Sequence, residues 1–404
     1  MKYIISKYIM SQEPGTIQST VTGQRFEVTP EVLKLLAYFK NPHTVEEVLS
    51  LTKTKPKNRP ALKSFITGLK RDRVIVSYPQ KEIKMGSSIL KMTDKALVQS
   101  TKKSFMSGCP GNLKEISRNN IVFIGVPFDL GTTGYPGARF GPDRMRELSC
   151  DSFEYHPNIF DGSNSGWFSL EHQGYVLNNK KILDLGNVLL NIGENFNHFY
   201  ARIEKTVKKI ISKKAFPVIV GGDHSISYGA IKAFGSKLKK IGIIHIDAHT
   251  DLADLIPGTP NNHGNVFSRI LEERLTKHLY QFGVRGMIGK QLEDKRYSLF
   301  SLPFLKESEN NLELSVKKLD PNIKYYLSLD IDVLDPAFAP GTGTSVPAGM
   351  SVDMLLKLLS LIAKRVPIIG FDLVEVNPML DQNNRTIELA NMIIVHLLAE
   401  IERR

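Results

Sequence analysis

Three apolar segments of this chain each end in a group of carboxylate and imidazole side chains. In residues 241–252, IGIIHIDAHTDL, a run rich in isoleucine leads into histidines and aspartates. A short, continuously apolar run predicts a strand of a parallel sheet that is buried on both faces. Residues 216–227 (FPVIVGGDHSIS) and 326–336 (YLSLDIDVLDP) repeat the pattern. Because the carboxyl ends of parallel strands meet at one edge of a sheet, we expect the three polar groups to converge there.

The spacing of the polar residues favours a metal site at that edge. Side chains alternate along an extended chain, so Asp247, His249 and Asp251 share one face. Asp330 and Asp332 are also two residues apart. Burying several carboxylates close together costs free energy, because they lose their hydration and repel one another. A cation between them offsets this cost. Each segment alone also fits a solvated turn, but three of them in one α/β pattern favour metal binding.

Strands and helices alternate around these segments. Further strands are predicted at residues 121–126, 182–185, 281–285 and 368–374, and a helix is predicted at 195–209. Such alternation predicts an α/β fold with a mostly parallel, doubly wound sheet flanked by helices. We therefore expect a main domain over residues 121–404.

Residues 1–80 are predicted to form a separate, smaller α+β domain. Its expected elements are strands near 3–10 and 16–28, helices at 31–39, from 44 onward and at 60–69, and a strand at 73–78. Thr29 and Pro30 fit the start of the first helix, and Thr44 with Glu47 forms a capping-box pattern at the second. This order outlines a winged helix. Residues 81–120 are predicted to be a linker or a peripheral helix.

The winged-helix outline resembles the small peptide-binding chaperone of pyrroloquinoline quinone biosynthesis. It is similar also to the leader-recognition elements of enzymes that modify ribosomal peptides. The resemblance implies capture of an extended peptide at a sheet edge. A nucleic-acid-binding winged helix is the competing interpretation.

The positive charge of the chain lies in its N-terminal part. Residues 1–118 carry 21 Lys and Arg against 9 Asp and Glu, a net charge of +12. This equals the net charge of the whole chain. This excess suits an acidic partner, whether peptide, nucleic acid or membrane surface, and a solvated basic face is equally consistent with it.

The two cysteines, Cys109 and Cys150, are too few for a disulfide framework. This predicts a reducing, cytoplasmic location. Lys7 interrupts the apolar N-terminal stretch, so we expect no signal peptide. No apolar run approaches the ~18 residues that would span a membrane.

The polar segments also match a known family. GGDHS at 221–225, DAHTD at 247–251 and SLDIDVLDP at 328–336 resemble the three signatures of the arginase/agmatinase superfamily, the ureohydrolases. GVPFD, PGARFGP, APGTGT and EVNP match its other landmarks in the same order, and GVPFD, PGARFGP and PGTGT are closer to agmatinases than to arginases. The resemblance implies the arginase/deacetylase-type three-layer fold. It also implies hydrolysis of a guanidino group to a primary amine and urea.

The resemblance implies two manganese ions per chain, although Co²⁺ or Ni²⁺ would also suit the ligands. Six side chains are implied as ligands: His224, Asp247, His249, Asp251, Asp330 and Asp332. The first ion would take His224 and Asp251, the second would take His249 and Asp332, and both would share Asp247 and Asp330.

Three further residues match functional positions of the family. His263 matches its proton-shuttling histidine, and an imidazole can protonate a leaving amine near neutral pH. Glu375 matches its guanidinium-binding glutamate, because a carboxylate can pair with that planar cation through two hydrogen bonds. Thr344 matches a threonine beside that glutamate.

Three positions depart from arginases that act on free arginine. Ala253 stands where those enzymes hold the α-carboxylate with an asparagine. The stretch Arg285-Gly286-Met287-Ile288 lacks the aspartate that holds the α-amino group, and Thr259 replaces a serine in a shorter loop. The expected substrate therefore lacks a free amino-acid end, as in agmatine or guanidino acids, or carries it in peptide bonds.

The two domains together suggest a peptide arginase, in which the N-terminal element holds an arginine-containing precursor peptide and the metal site converts arginine to ornithine. The alternatives are a small-molecule agmatinase or guanidinobutyrase and a nucleic-acid-binding regulator with a vestigial enzyme domain. The complete ligand set and Glu375 disfavour a related zinc deacetylase. The family also implies homo-oligomerisation, which the added domain could block.

Overall fold

The computed structural model divides the chain into two compact units. The first comprises Met1–Lys91 with Asp254–Pro260, and the second comprises Met92–Ala253 with Asn261–Arg404. The residues described are 2–5, 9–13, 16–19, 25–71, 74–77, 97–152, 166–178, 180–191, 194–235, 240–254, 262–288 and 293–404. Within these ranges, no helix has the length and apolar character needed to cross a membrane.

The first unit consists of short strands and three helices. Its elements are β1 (Tyr3–Ile5), β2 (Ile9–Glu13), β3 (Thr16–Ser19), β4 (Arg25–Glu27), α1 (Pro30–Tyr38), α2 (Val45–Leu51), α3 (Arg59–Arg71) and β5 (Ile75–Ser77). β1 pairs antiparallel with β5, while β2, β3 and β4 form an antiparallel sheet. These elements occur where the sequence predicts them, and the winged-helix assignment remains a prediction.

The helices of this unit have their own start signals and their own core. At the start of α2, Glu47 N donates to Thr44 Oγ1 at 3.1 Å and Thr44 N donates to Glu47 Oε2 at 2.7 Å, which confirms the predicted capping box. The box satisfies two backbone N–H groups that a helix start leaves unpaired. Phe39, Val48 and Ile66 are fully buried in one apolar cluster.

The second unit is built on a ten-stranded sheet. Its strands are β6 (Val98–Gln99), β7 (Cys109–Pro110), β8 (Ile121–Val126), β11 (Ile182–Val188), β12 (Phe216–Gly221), β13 (Ile241–Ile246), β14 (His278–Phe282), β15 (Tyr297–Phe300), β16 (Lys324–Asp330) and β17 (Ile368–Val374), with a separate hairpin of β9 (Trp167–Ser169) and β10 (Gly174–Val176). The order is β15-β14-β13-β16-β17-β12-β8-β11-β6, and β7 also pairs with β11. Only β6 runs antiparallel within the described pairs of this sheet. The predicted mostly parallel α/β fold is confirmed.

Helices cover both faces of this sheet. They are α4 (Gly141–Ser152), α5 (Phe196–Ser212), α6 (Ser227–Lys232), α7 (Val266–Glu272), α8 (Leu302–Glu307), α9 (Glu309–Lys317), α10 (Val352–Arg365) and α11 (Arg385–Glu402). Along β12, Val218 and Val220 join the cluster that contains α10 and α11, whereas Ile219 joins the cluster that contains α5 and α7. Burial on both faces explains why the strands are continuously apolar rather than alternating.

Two parts of this unit differ from the sequence-based expectation. Residues 97–120 contribute β6 and β7 to the sheet and bury Leu97 and Phe105, so this part of the predicted linker belongs to the larger unit. Residues 81–96 lie outside the described residues. The strand predicted at 281–285 is β14, which ends at Phe282 because Gly283 has a φ of +98°.

A buried ion pair fixes α4 to β11 and generates a prediction about stability. Arg146 Nε lies 2.8 Å from Asp184 Oδ2, and both side chains are 1% exposed. Arg146→Met leaves the carboxylate buried without its cation. We expect the free energy of unfolding to fall by about 3–5 kcal/mol, measured by urea denaturation.

The matched control is Arg144→Met on the same helix. Arg144 pairs with Glu147 at the surface, where the side chains are 36% and 49% exposed, so the expected change is below about 1 kcal/mol. Equal losses in the two variants would show that the buried pair contributes nothing beyond a surface pair.

Candidate metal centre and active site

Four neighbouring strands bring the predicted site residues to one edge of the sheet. β13, β16, β17 and β12 are adjacent in that order. Asp247 follows β13, Asp330 ends β16, Glu375 follows β17, and His224 comes just after β12. This edge is the carboxyl end of the strands, where open α/β sheets bind their ligands.

A close backbone approach at Gly222 shapes the turn after β12. A methyl group at Gly222 would lie 1.7 Å from the carbonyl oxygen of Phe128, so this position requires glycine. The carbonyl of Gly222 also accepts the N–H of Glu375 at 2.8 Å. One turn therefore positions both His224 and Glu375.

The first group of candidate ligands surrounds His224. Its Nδ1 lies 3.0 Å from Asp247 Oδ2, 3.1 Å from Asp251 Oδ2 and 3.2 Å from Asp330 Oδ2. This Nδ1 is buried and has no hydrogen-bond partner. Separations of roughly 3 Å are those of neighbouring ligand atoms around an octahedral cation with bonds of about 2.1 Å. Burial lowers the pKa of His224, but the three carboxylates outweigh it and raise this pKa well above its ordinary value, so they favour a cation at this position. A divalent ion would displace the proton and take the Nδ1 lone pair.

Hydrogen bonds on the opposite side of the His224 ring determine which nitrogen could bind a metal. His224 Nε2 lies 2.9 Å from Ser328 Oγ, and the Ser328 hydroxyl donates to Asp372 Oδ1 at 2.6 Å. Because Ser328 gives its proton to Asp372, it accepts the proton of His224 Nε2. Tyr326 donates to the other oxygen of Asp372 at 2.8 Å. This network assigns the tautomer in which Nδ1 is free to bind a metal.

The second group of candidate ligands surrounds His249. Its Nδ1 lies 3.0 Å from Asp332 Oδ2 and 3.4 Å from Asp247 Oδ1. Asp247 thus directs one oxygen to each group, as its predicted bridging role requires. Asp330 directs Oδ2 to His224, while its Oδ1 accepts the N–H of Asp332 at 2.8 Å. Sharing of Asp330 between two ions stays a prediction.

The electrostatics of the cluster also favour a cation. Burial raises the pKa of Asp330 well above its ordinary value, and Asp332 and Asp247 raise it further. Burial and the charge of Asp247 raise the pKa of Asp332 to about 6. Burial would lower the pKa of His249, but Asp247 and Asp332 outweigh it and raise that pKa to about 12. The protons held in this way are those that a bound metal displaces.

His263 and Glu375 lie together beside this cluster, as the resemblance implies. His263 Nδ1 lies 3.1 Å from Glu375 Oε1. The same oxygen accepts the backbone N–H of His224 at 2.9 Å. Burial lowers the pKa of His263, but Glu375 outweighs it, so the pKa is raised. Glu375 has a φ of +63° and Asp251 a φ of +49°. Such strained backbone costs of order 1–3 kcal/mol at each residue and is typical of active sites.

Thr344 has a different partner from the expected one. Its hydroxyl donates to Asp332 Oδ2 at 3.2 Å, whereas the resemblance places it beside Glu375. Asp332 lies just after β16 and belongs to the second group of candidate ligands. Thr344 therefore contacts a candidate metal ligand.

His245 is a buried residue of the site that the sequence analysis missed. Its Nε2 lies 2.7 Å from Asp247 Oδ2, and its Nδ1 lies 2.7 Å from Gln281 Nε2. Tyr297 donates to Gln281 Oε1 at 2.8 Å, which fixes the amide so that its nitrogen faces His245. His245 Nε2 therefore carries the ring proton and donates it to Asp247. The alternation of polar residues at 245, 247, 249 and 251 was the signal for this position.

Arg285 begins the stretch in which the sequence shows no partner for an α-amino group. This guanidinium donates to five carbonyl oxygens, those of Asp332, Val333, Leu334, Val346 and Pro347. Its donors are thus used to hold two loops together. Ala253 offers no polar side chain, and Thr259 lies outside the described residues.

Comparison with known proteins agrees with this geometry. A family model described as the Arginase family matches residues 119–399. The human mitochondrial guanidino acid hydrolase is 33% identical over 291 residues, which are 70% of this chain and 78% of that protein. The agmatinase of Bacillus anthracis is 31% identical over 287 residues, covering 69% of this chain and 91% of the agmatinase.

A solved structure shows the same fold. Proclavaminate amidino hydrolase from Streptomyces clavuligerus superimposes with a TM-score of 0.63 at 28% identity, covering 75% of this chain and 98% of that one. A chain with this sheet and this acidic edge is a hydrolase acting on C–N bonds of linear amidines. It belongs to the arginase family.

The hydrogen bond from His245 to Asp247 leads to a prediction about metal affinity. His245→Phe keeps an aromatic ring against Phe267, whose ring centre is 3.9 Å away, but removes the bond that orients Asp247. We expect affinity for Mn²⁺ to fall by about 10–100-fold, measured by titration calorimetry on metal-free protein.

Tyr297→Phe, at the far end of the same chain of hydrogen bonds, is the control and should cause a smaller loss. Unchanged affinity in His245→Phe would show that the bond does not orient the shared carboxylate.

Proposed function

We propose that this protein is a binuclear manganese hydrolase that cleaves a small guanidino compound to a primary amine and urea. The observation that carries the proposal is the free Nδ1 of His224 among three carboxylates, beside the pair of His263 and Glu375. The names of the relatives, a guanidino acid hydrolase and an agmatinase, support the same substrate class.

The two groups of ligands would hold the metal pair. His224 and Asp251 would hold one ion and His249 and Asp332 the other, and Asp247 and Asp330 would serve both. Oxygen-rich ligation with one imidazole for each ion suits Mn²⁺. When bound, two such ions supply an acidified water as a nucleophile at neutral pH, which an unreactive guanidinium carbon requires.

Glu375 would bind and orient the guanidinium of the substrate. Oε1 of Glu375 accepts the backbone N–H of His224 and contacts Nδ1 of His263. These two contacts fix the orientation of the carboxylate. A carboxylate pairs with the planar guanidinium through two hydrogen bonds, which place the guanidinium carbon at a set position. His263, 3.1 Å from the same oxygen, would then lie next to the departing nitrogen.

The outer part of the site favours a substrate without an amino-acid end. Ala253 and the stretch around Arg285 lack the groups that would pair with an α-carboxylate and an α-ammonium. Burying either charge without a partner is costly. Agmatine and guanidino acids carry at most one of these two charges.

Urea release from a panel of guanidino compounds tests the proposal. With Mn²⁺, we expect turnover of agmatine or a guanidino acid to exceed that of free arginine. Exhaustive chelation should abolish the activity, and added Mn²⁺ should restore it. Glu375→Gln should lower kcat/KM by about 10–100-fold, because it removes charge-assisted hydrogen bonds of about 1.5–3 kcal/mol.

Glu388→Gln, which changes an exposed carboxylate in the first turn of α11, is the matched control and should leave kcat/KM unchanged. Urea release that survives chelation, or a preference for free arginine, would contradict the proposal.

A second candidate substrate is an arginine side chain within a peptide. It is favoured by the antiparallel sheet of β2, β3 and β4, to whose edge an extended peptide could add. The charge of +12 on residues 1–118 would suit an acidic leader segment.

Mass spectrometry of arginine-containing peptides with an acidic leader tests this candidate. Conversion to ornithine removes the mass of one cyanamide for each arginine. The control is the same peptide with lysine in place of arginine. Turnover of agmatine with no change in any peptide would rule the candidate out.

A further inference from the structure

The loop that follows β8 contacts the histidine to which we assign proton transfer. Thr133 N donates to His263 Nε2 at 2.9 Å, and Thr133 Oγ1 lies 2.7 Å from the same nitrogen. Nδ1, on the other side of the ring, lies 3.1 Å from Glu375 Oε1. Both nitrogens of this imidazole are therefore engaged, and the partner of Nε2 is a threonine.

These hydrogen bonds fix the position of the ring proton. A backbone N–H can only donate, so Nε2 accepts and carries no proton in this arrangement. Nδ1 then carries the proton and donates it to Glu375. The Thr133 hydroxyl acts as a second donor to Nε2. In this arrangement the nitrogen of His263 that can accept a proton faces Thr133.

Burial places Thr133 on the outer side of that nitrogen. His263 is 8% exposed, whereas Thr133 is exposed. A proton that reaches or leaves Nε2 therefore passes beside the Thr133 hydroxyl. A hydroxyl can accept a proton on its oxygen while it donates its own, so this group has the chemistry of a relay.

Contacts at both ends hold the loop in this position. Asp223 Oδ2 accepts the N–H of Gly131 at 2.7 Å, and the carbonyl of Gly131 accepts the N–H of His263 at 3.0 Å. Further along, Tyr135 N donates to the carbonyl of Gly343 at 3.4 Å. Hydrogen bonds on both sides of Thr133 therefore hold it in contact with His263.

We propose that the Thr133 hydroxyl relays a proton from His263 Nε2 to the departing amine, an inference that rests on the proposed function. Hydrolysis converts water and a guanidinium cation to urea and an alkylammonium cation, so the proton that the water loses balances the one that the departing nitrogen gains. When the C–N bond breaks, its electron pair stays on that nitrogen, which takes the hydroxyl proton of Thr133. In the same transfer the Thr133 oxygen takes the Nε2 proton of His263, which is the proton that the attacking water has lost to this nitrogen. His263 and Thr133 are then back in the arrangement described above.

Two substitutions at Thr133 separate the hydroxyl from the loop. Thr133→Val replaces the hydroxyl by a methyl group and keeps the backbone N–H, and Thr133→Ser keeps the hydroxyl. With the full-length, Mn²⁺-loaded enzyme and agmatine, we expect Thr133→Val to lower kcat by about 10²-fold with little change in KM, as for loss of acid catalysis. Thr133→Ser should retain most of kcat.

Thr132→Val is the matched control in the same loop. The Thr132 hydroxyl accepts the N–H of Gly134 at 3.2 Å, so its loss tests general damage to the loop, and kcat should stay near the wild-type value. Equal kcat for Thr133→Val and Thr133→Ser would overturn the relay. A rise in KM with kcat unchanged would do the same, because it would indicate a binding role.

A second measurement keeps the test independent of the proposed function. If the wild-type enzyme released no urea from any guanidino compound, the proposed function would fail on its own. Nitrogen-15 NMR of histidine-labelled, metal-free protein then tests the contact. Thr133→Val should move the Nε2 resonance of His263, and Thr133→Ser should leave it in place. An Nε2 resonance that does not move in Thr133→Val would overturn the inference.

Discussion

The mutual repulsion of buried carboxylates is the constraint on which the rest of the structure depends. Asp247, Asp251 and Asp330 surround one imidazole nitrogen at 3.0–3.2 Å, and Asp332 lies beside a second imidazole. Two like charges 4 Å apart repel by about 4 kcal/mol even at an effective dielectric constant of 20. Such a cluster must hold protons or cations. Without a cation, the raised pKa values of Asp330 and Asp332 favour protonation of these carboxyl groups. The same repulsion would favour the binding of divalent cations to this cluster.

The sheet supplies hydrogen bonds that support two of the candidate ligands, His224 and Asp247. The network of Ser328, Asp372 and Tyr326 fixes the tautomer of His224, and Gln281 fixes that of His245 behind Asp247. Each supporting group comes from a strand of the same sheet or from its immediate end, so movement of one requires movement of the core. This support also explains how strained backbone persists at Asp251 and Glu375, because packed neighbours hold conformations that an isolated loop would leave.

The sequence predicts the sheet, and it names the side chains that meet at its edge, because these signals are local. Apolar runs that end in acids are visible within ten residues, and the three signature segments place His224, Asp247 and Asp330 without a structure. The partner of Thr344, the support from Gln281 and the contact of Thr133 with His263 join residues far apart in the chain. Their geometry depends on how loops cross the sheet edge. The sequence of residues 97–120 does not predict β6 and β7, because two residues each are too few to show a strand period.

The selection of substrate follows from what this edge of the sheet offers beyond the metal ligands. Under the proposed function, every guanidino compound would present the same planar cation to Glu375, so that contact would not separate arginine from agmatine. The difference lies at the far end, where arginine would bring two charges that must keep their hydration or find partners. Most donors of Arg285 already bind carbonyl oxygens, so this guanidinium has little capacity left for an α-carboxylate. Under the proposed function, an unpartnered charge would cost more than a missing contact would gain, so arginine would bind less well than a substrate that lacks one of these charges. The loops at Ala253 and Arg285, and not the candidate metal ligands, would then determine the substrate.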